Sequence, residues 1–239
     1  MRQRSTQLPD LPSLEAACAC LPCPPPPVAL PGLLVYLGML MRYNAVMNLV
    51  GTRTWRETLE LLLADSFCLA RFLPTLPLAA SPCCLEPGAG AGLPGIPLRL
   101  CWTEGEYALV EVRQKRALFL QNVLATLSLP RTRVHCGRVE EYCTRMPRKV
   151  DLWVSRAFMP WRALLELLGP HTAAGGLAVV LQNDPAPVDA HLPQEWELCA
   201  SQAYTVRDTA RHFWALRHVP ACAPHAGAPH ERITRASHP

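Results

Sequence analysis

Residues 85–97, Leu-Glu-Pro-Gly-Ala-Gly-Ala-Gly-Leu-Pro-Gly-Ile-Pro, restrict this chain more than any other segment. The apolar run leading into them, Cys83, Cys84 and Leu85, reads as a buried strand that ends on an acid, Glu86. Gly88, Gly90 and Gly92 alternate behind it. Glycine takes φ > 0 at little cost and lets a ligand lie against bare main chain. A dinucleotide fingerprint, G-x-G-x-x-G, would place its third glycine where Leu93 stands, so that reading fails. A glycine-rich surface turn is the plain alternative.

The next segment favours a ligand loop. Tyr107-Ala-Leu-Val-Glu111 is a second apolar strand ending on an acid, and the stretch 114–127 after it carries a helical apolar stripe at 117, 118, 120, 123, 124 and 127. Glu111 follows Gly88 by 23 residues, near the separation at which a doubly wound fold sets an acid on a ribose hydroxyl pair. Alone, Glu111 would read as a solvated strand end. Coupled to G-x-G-x-G behind an acidic strand end, it gives the pattern of an S-adenosylmethionine site.

At 239 residues the chain can bury one sizeable core. Only Lys115 and Lys149 of its 23 basic residues are lysines. Arginine suits phosphate and base edges because its planar fork bonds bidentately, although 25 prolines and abundant alanine also fit plain GC-rich codon usage. The 11 cysteines form no regular framework, and Cys84, Cys136 and Cys199 read as free thiols in a reducing cytosol. Cys18, Cys20 and Cys23 lack a second cluster that would complete a metal site, so no metal is expected. The longest apolar stretch, Ala29–Met41, has 13 residues and contains Pro31 and Gly32, short of the ~20 a membrane span requires. A cytoplasmic protein without a membrane partner is expected.

Residues 1–30 are proline-rich and read as a leader without structure, and the tail 221–239 is expected to be disordered. Between them, 31–220 read as N-terminal helices plus one catalytic domain. Helices are predicted over Leu33–Leu49 and from Thr54, where Thr54-x-x-Glu57 makes a capping box. From Cys83 strands and helices alternate: strands at 83–86, 107–111, 133–136, 150–155 and 176–182, with Tyr204–Arg207 and His212–Arg217 as a closing hairpin. That alternation predicts an α/β, Rossmann-like fold, a mostly parallel sheet with helices on both faces and a helical appendage at its N-terminus.

These segments, in this order, resemble the bacterial small-subunit (16S) rRNA guanine-N7 methyltransferase family, RsmG, also called glucose-inhibited division protein B. Tyr43-Asn44-Ala-Val-Met-Asn48-Leu49 resembles the family's W-N-x-x-x-N-L, and Gly88–Pro97 resembles its G-x-G-x-G-L-P-G-I-P. Lys115-Arg116-Ala-Leu-Phe-Leu, Arg138-Val139-Glu140-Glu141 and Val154-Ser155-Arg156-Ala157-Phe158 complete the match, which spans about residues 33–217. The resemblance implies S-adenosylmethionine contacts at Gly88, Leu93, Val139, Glu140 and Arg156, beside Gly90 and Glu111 from the residue reading. It also implies 16S ribosomal RNA, or the small ribosomal subunit, as partner, with the protein acting as a monomer. Several positions depart from the family: Tyr43 stands for Trp, Val50 for Thr, Leu61-Leu62 for Arg-His, Gln182-Asn183 for Lys-Gly and Ala210-Arg211-His212 for Glu-Arg-His. All lie outside the glycine loop, on segments expected to face RNA.

Guanine N7 carries no proton, so its methylation needs alignment and not a general base. The turn after the fourth strand reads Ser155-Arg156-Ala157-Phe158, without the N/D-P-P-Y/F that holds an exocyclic amine, and no catalytic acid or base is assigned. RNA contacts are expected from arginines, first among them Arg53 and Arg211. Two alternatives share the cofactor half: a methyltransferase acting on a protein or small molecule, and a non-catalytic ribosome-assembly factor that retains the fold.

Overall fold

The computed structural model describes residues 8–188 and 191–220. Each apolar run predicted from Cys83 onward is a strand: β1 Cys83–Pro87, β2 Glu106–Glu111, β3 Thr132–Cys136, β4 Val150–Arg156, β5 Thr172–Gln182, β6 Trp196–Val206 and β7 Thr209–His218. They form one sheet in the order β3-β2-β1-β4-β5-β7-β6. Strands β1 to β5 pair in parallel, and β7 runs antiparallel to both of its neighbours. The order reverses between β1 and β4, which opens a crevice at their carboxyl ends.

The inner parallel strands are covered on both faces, so their sequences are largely apolar rather than alternating, whereas β3, at the sheet edge, is mixed and only partly buried. Every residue of β1 is buried. In β4, Leu152 and Val154 join one core while Trp153 joins the other. The first core packs the N-terminal helices, α5 (Gly95–Cys101) and α6 (Gln114–Thr126) on one face. The second holds α7 (Val139–Thr144) and α8 (Trp161–Leu168), with Leu164, Leu165 and Leu168 turned inward. The predicted helices on both faces are therefore present.

The leader departs from expectation. Residues Leu11–Ala19 form helix α1, capped by Asp10, whose carboxylate accepts the Ser13 N–H at 2.8 Å. Leu14, Ala17 and Cys18 are buried on that helix. The prolines cluster at 22 and 24–27, where they form the connector to α2 (Leu30–Met47), so an average over the leader hides a helical stripe before them. The expected tail lies outside the described residues.

Helix α2, with the turn that precedes it, is long and apolar enough to cross a membrane, residues Pro27–Met47 having a mean hydropathy of 1.2. Its apolar stripe (Leu33, Tyr36, Leu37, Leu40) is buried in the first core, and the Tyr36 hydroxyl donates to the Ala91 carbonyl at 2.8 Å. The predicted second helix comprises α3 (Trp55–Thr58), a π turn at Leu59–Leu63 and α4 (Ala64–Phe72). Thr54 caps it through the Glu57 N–H at 3.1 Å, but the Glu57 carboxylate reaches back to the Arg53 N–H, one residue beyond the usual capping-box partner.

Candidate cofactor and substrate site

Three crossover loops meet at the carboxyl edge of the sheet, and Glu111 joins them. Its Oε2 accepts the Gly90 N–H at 2.8 Å, from the loop after β1, and its Oε1 accepts the Arg113 N–H at 2.8 Å. Its main-chain carbonyl accepts Gly137 N–H at 3.1 Å, from the turn after β3. With 4% of its surface exposed, Glu111 is no solvated strand end.

The glycines of the loop serve different ends. Gly88, Gly90 and Gly92 all have positive φ, at 66°, 58° and 84°. A Cβ on Gly88 would overlap the Phe158 ring, and one on Gly92 would overlap Ile96. A Cβ on Gly90 would find nothing closer than 3.7 Å, so the open space in front of the main chain lies there. Beneath the loop, Glu86 is fully buried: Tyr107 donates to its Oε2 at 2.7 Å, and its Oε1 has no partner among the described residues. Burial pushes the Glu86 carboxyl up to about 8.

Val139 and Glu140 open α7 directly after β3, buried and half-buried. Leu93 is half-buried in the glycine loop. Of the predicted cofactor residues, Gly88, Gly90 and Leu93 thus lie on the loop after β1, Glu111 ends β2, and Val139 and Glu140 open the helix after β3.

Arg156 ends β4 and stands in a second cluster. The backbone turns sharply after it, with Ala157 at φ 51°, a left-handed conformation that costs a non-glycine residue about a kcal/mol or more. One side of this turn presses Phe158 on Gly88; the other lines a cavity of about 510 Å³ with Met159, Trp161, Leu181, Tyr204 and Arg211. Asp65 of α4 anchors that cavity. Its carboxylate lies 2.6 Å from Arg211 Nη1 and 3.3 Å from Arg156 Nη1, and it accepts the Tyr204 hydroxyl at 2.9 Å. Burial first, then the charge of Asp65, push the Tyr204 phenol well above its usual value, so it remains a donor. The π turn adds two acceptors: the Leu61 carbonyl takes Arg211 Nη1 and the Leu62 carbonyl takes Arg156 Nη1, each at 2.8 Å. Single π turns inside α-helices often mark functional sites, and this one aims two carbonyls at the cavity arginines.

Of the two residues assigned to RNA, Arg53 is exposed beside the start of α3. Arg211 is not the solvated, phosphate-facing arginine expected: its side chain is 15% exposed and held by Asp65 and Leu61. Asp65, Tyr204 and Phe158 went unassigned in the sequence. Asp65 left one signal there, an acid set inside the apolar run between Ala64 and Phe67.

An open face at Gly90, an enclosed acid at Glu111 and an orphan carboxyl oxygen at Glu86 suit a polar cofactor carrying ribose and ammonium groups. With the strand-order reversal between β1 and β4 beside them, they place this chain among the S-adenosylmethionine-dependent methyltransferases. The family model described as "rRNA small subunit methyltransferase G" matches residues 30–212, and the chain belongs to that family. The ribosomal RNA small subunit methyltransferase G of Oleidesulfovibrio alaskensis is 49% identical over 214 residues, covering 86% of this chain and 93% of the relative. That of Nitratidesulfovibrio vulgaris is also 49% identical, over 82% of this chain and 88% of its own length. Among solved structures, a point mutant of MtNAS in complex with S-adenosylmethionine overlaps 78% of this chain and 75% of its own, with a TM-score of 0.56 at 15% identity. At that identity the overlap speaks for the fold alone.

Proposed function

We propose that this chain transfers a methyl group to N7 of a guanine in 16S ribosomal RNA. The observation that carries the reading is the state of the one carboxylate on the cavity wall. Asp65 is bound by two arginines and a tyrosine hydroxyl, contacts that commit it to holding those groups in place rather than to taking a proton from substrate. A cavity walled by arginines and aromatic rings, without a general base, suits a nucleophile that carries no proton. The names of the relatives supply the nucleic acid.

S-adenosylmethionine, when bound, supplies an electrophilic methyl group on its sulfonium. Gly88, Gly90 and Leu93 would hold it along the glycine loop, Glu111 would accept from its ribose hydroxyls, and Val139 and Glu140 would complete the site from the turn after β3. Arg156 joins the cofactor side to the cavity. Phe158, pressed on Gly88, sits where the glycine loop and the turn after β4 meet and would flank the line of methyl transfer. Arg53 makes a phosphate contact on the RNA side. The protein acts as a monomer on the small ribosomal subunit, in the cytoplasm.

The test is methyl transfer from labelled S-adenosylmethionine to purified small subunits and to naked 16S rRNA, read as N7-methylguanosine by nuclease digestion and mass spectrometry. Label confined to protein or small molecules would overturn the reading.

A further inference from the structure

The cavity between β4, β5 and β7 contains a donor that the protein itself leaves unmet. Arg211 commits Nη1 to Asp65 and to the Leu61 carbonyl, while its Nε is buried with no partner among the described residues. Nε is enclosed, but Nη2 also has no partner among the described residues and is not enclosed, so a ligand acceptor in the cavity would meet it. Arg156 mirrors the arrangement, with Nη1 on Asp65 and the Leu62 carbonyl. Both guanidiniums are therefore fixed in place by one carboxylate and two adjacent carbonyls of the π turn, before any substrate arrives. Their side chains are 15% and 20% exposed, at the foot of a cavity whose walls include Trp161 and Leu181.

The arrangement suits a planar heterocycle with a carbonyl better than a phosphate. Phosphates of a folded RNA stay at its surface, whereas these arginines lie below aromatic and aliphatic walls. Guanine presents two acceptors on one edge, O6 and N7, and an arginine ordinarily grips both. In this reaction N7 must keep its lone pair for the methyl group. Nη1 is taken by Asp65 and the Leu61 carbonyl and Nε is enclosed, so neither two-pronged edge of the Arg211 guanidinium is open and Nη2 is left to donate to O6. At the mouth, the side-chain amides of Gln182 and Asn183 offer oxygens to the N1–H and N2–H donors that distinguish guanine from adenine.

Resting on the function proposed above, we infer that this cavity is the acceptor-base pocket, in which Arg211 reads the guanine O6 and Asp65 acts as its positioning residue, keeping N7 free. The experiment compares two substrate RNAs, one with the mapped target guanosine and one with 2-aminopurine in its place, which retains N7 and every phosphate but lacks O6. Single-turnover methyl transfer is measured for the unaltered protein, Arg211→Gln and Asp65→Asn. The unaltered protein is expected to be about ten- to a hundredfold slower on the 2-aminopurine RNA. Arg211→Gln should be slowed on guanosine and lose clearly less than the unaltered protein on going to 2-aminopurine, the remaining loss reflecting the N1–H that 2-aminopurine also lacks. Asp65→Asn should lose most of the discrimination while its affinity for S-adenosylmethionine, by calorimetry, stays within a few-fold.

Equal rates of the unaltered protein on both RNAs would overturn the inference without recourse to any variant. Arg211→Gln slowing both RNAs by the same factor would also overturn it, and would assign Arg211 to a phosphate or to the fold. Failure of the proposed function reads differently: the unaltered protein would then methylate neither RNA.

Discussion

The carboxylate of Glu111 accepts the Gly90 N–H at 2.8 Å, so the acid at the end of β2 holds the glycine loop that leaves β1. The bond braces the loop, and on the proposed function Glu111 would also bind the cofactor, so one substitution would merge the two duties. Glu111→Ala should weaken S-adenosylmethionine binding by about 1–3 kcal/mol, roughly five- to 150-fold, as one side of a buried polar contact is removed. It should also lower Tm by several degrees, because the Gly90 and Arg113 N–H groups lose their acceptor. Calorimetry and thermal melting separate the two duties. A lower Tm with unchanged affinity would leave Glu111 as a brace only.

The glycines give a second, steric test. Gly90→Ala should keep the fold, at about 1 kcal/mol of backbone strain from its φ of 58°, and lose cofactor binding, because its Cβ enters the open space. Gly95→Ala should fail at the earlier step, folding. Its Cβ would run into the Glu86 carboxylate and Leu109, both in the core, so the protein should fail to fold. Gly90→Ala binding as tightly as the parent would mean that the cofactor lies elsewhere.

Much of this was legible because it was local. The glycine spacing, the acids Glu86 and Glu111 at strand ends and the alternation after Cys83 are patterns within a few residues of one another, and the structure places the strands where they fall. What was hidden depends on contacts across the chain. Arg211 meets Asp65 over a separation of 146 residues, and Arg156 meets the Leu62 carbonyl over 94. No local pattern reports such pairs, so Arg211 read as a surface charge. The acceptors at Leu61 and Leu62 are main-chain atoms made available by a π turn, which side-chain identity does not encode. The strand β6 begins at Trp196, earlier than expected, because it is an edge strand whose apolar residues Trp196 and Leu198 are split by Glu197 and followed by a register shift between Leu198 and Ala200.

The leader helix supplies a third prediction. Leu14 is fully buried in the first core, so Leu14→Ala should destabilise the protein by about 2–5 kcal/mol, measured by urea unfolding. A change under about 0.5 kcal/mol would mean that α1 contributes nothing to the fold.

Glu86 sets a pH dependence of stability. Its carboxyl is raised from 4.5 to about 8 in the folded chain, so the folded state holds a proton that the unfolded state releases. Stability from this group is fully present below pH 4.5, falls as pH rises and is lost above about 8. The shift corresponds to something on the order of 4–5 kcal/mol. Glu86→Gln, neutral at every pH, should remove this slope and be more stable than the parent near pH 9. Parallel stability curves for the two proteins between pH 5 and 9 would show that Glu86 does not carry the proton.

The two arginines first assigned to RNA should now behave differently. Arg53 is exposed and makes no ion pair among the described residues, so Arg53→Ala should leave Tm unchanged and weaken RNA binding at low salt. A single phosphate contact contributes about 0.7–0.9 to the slope of log affinity against log salt, and the variant's slope should be shallower by that amount. Arg211→Ala removes one of two arginines from a buried aspartate and should cost about 3–5 kcal/mol of stability. Its salt slope should match the parent's, because the guanidinium is turned to Asp65 and the cavity rather than to a phosphate. Titrations of both variants against small-subunit RNA between about 50 and 200 mM salt read the two slopes directly. A shallower slope for Arg211→Ala would return that residue to the phosphate surface and remove it from the base pocket.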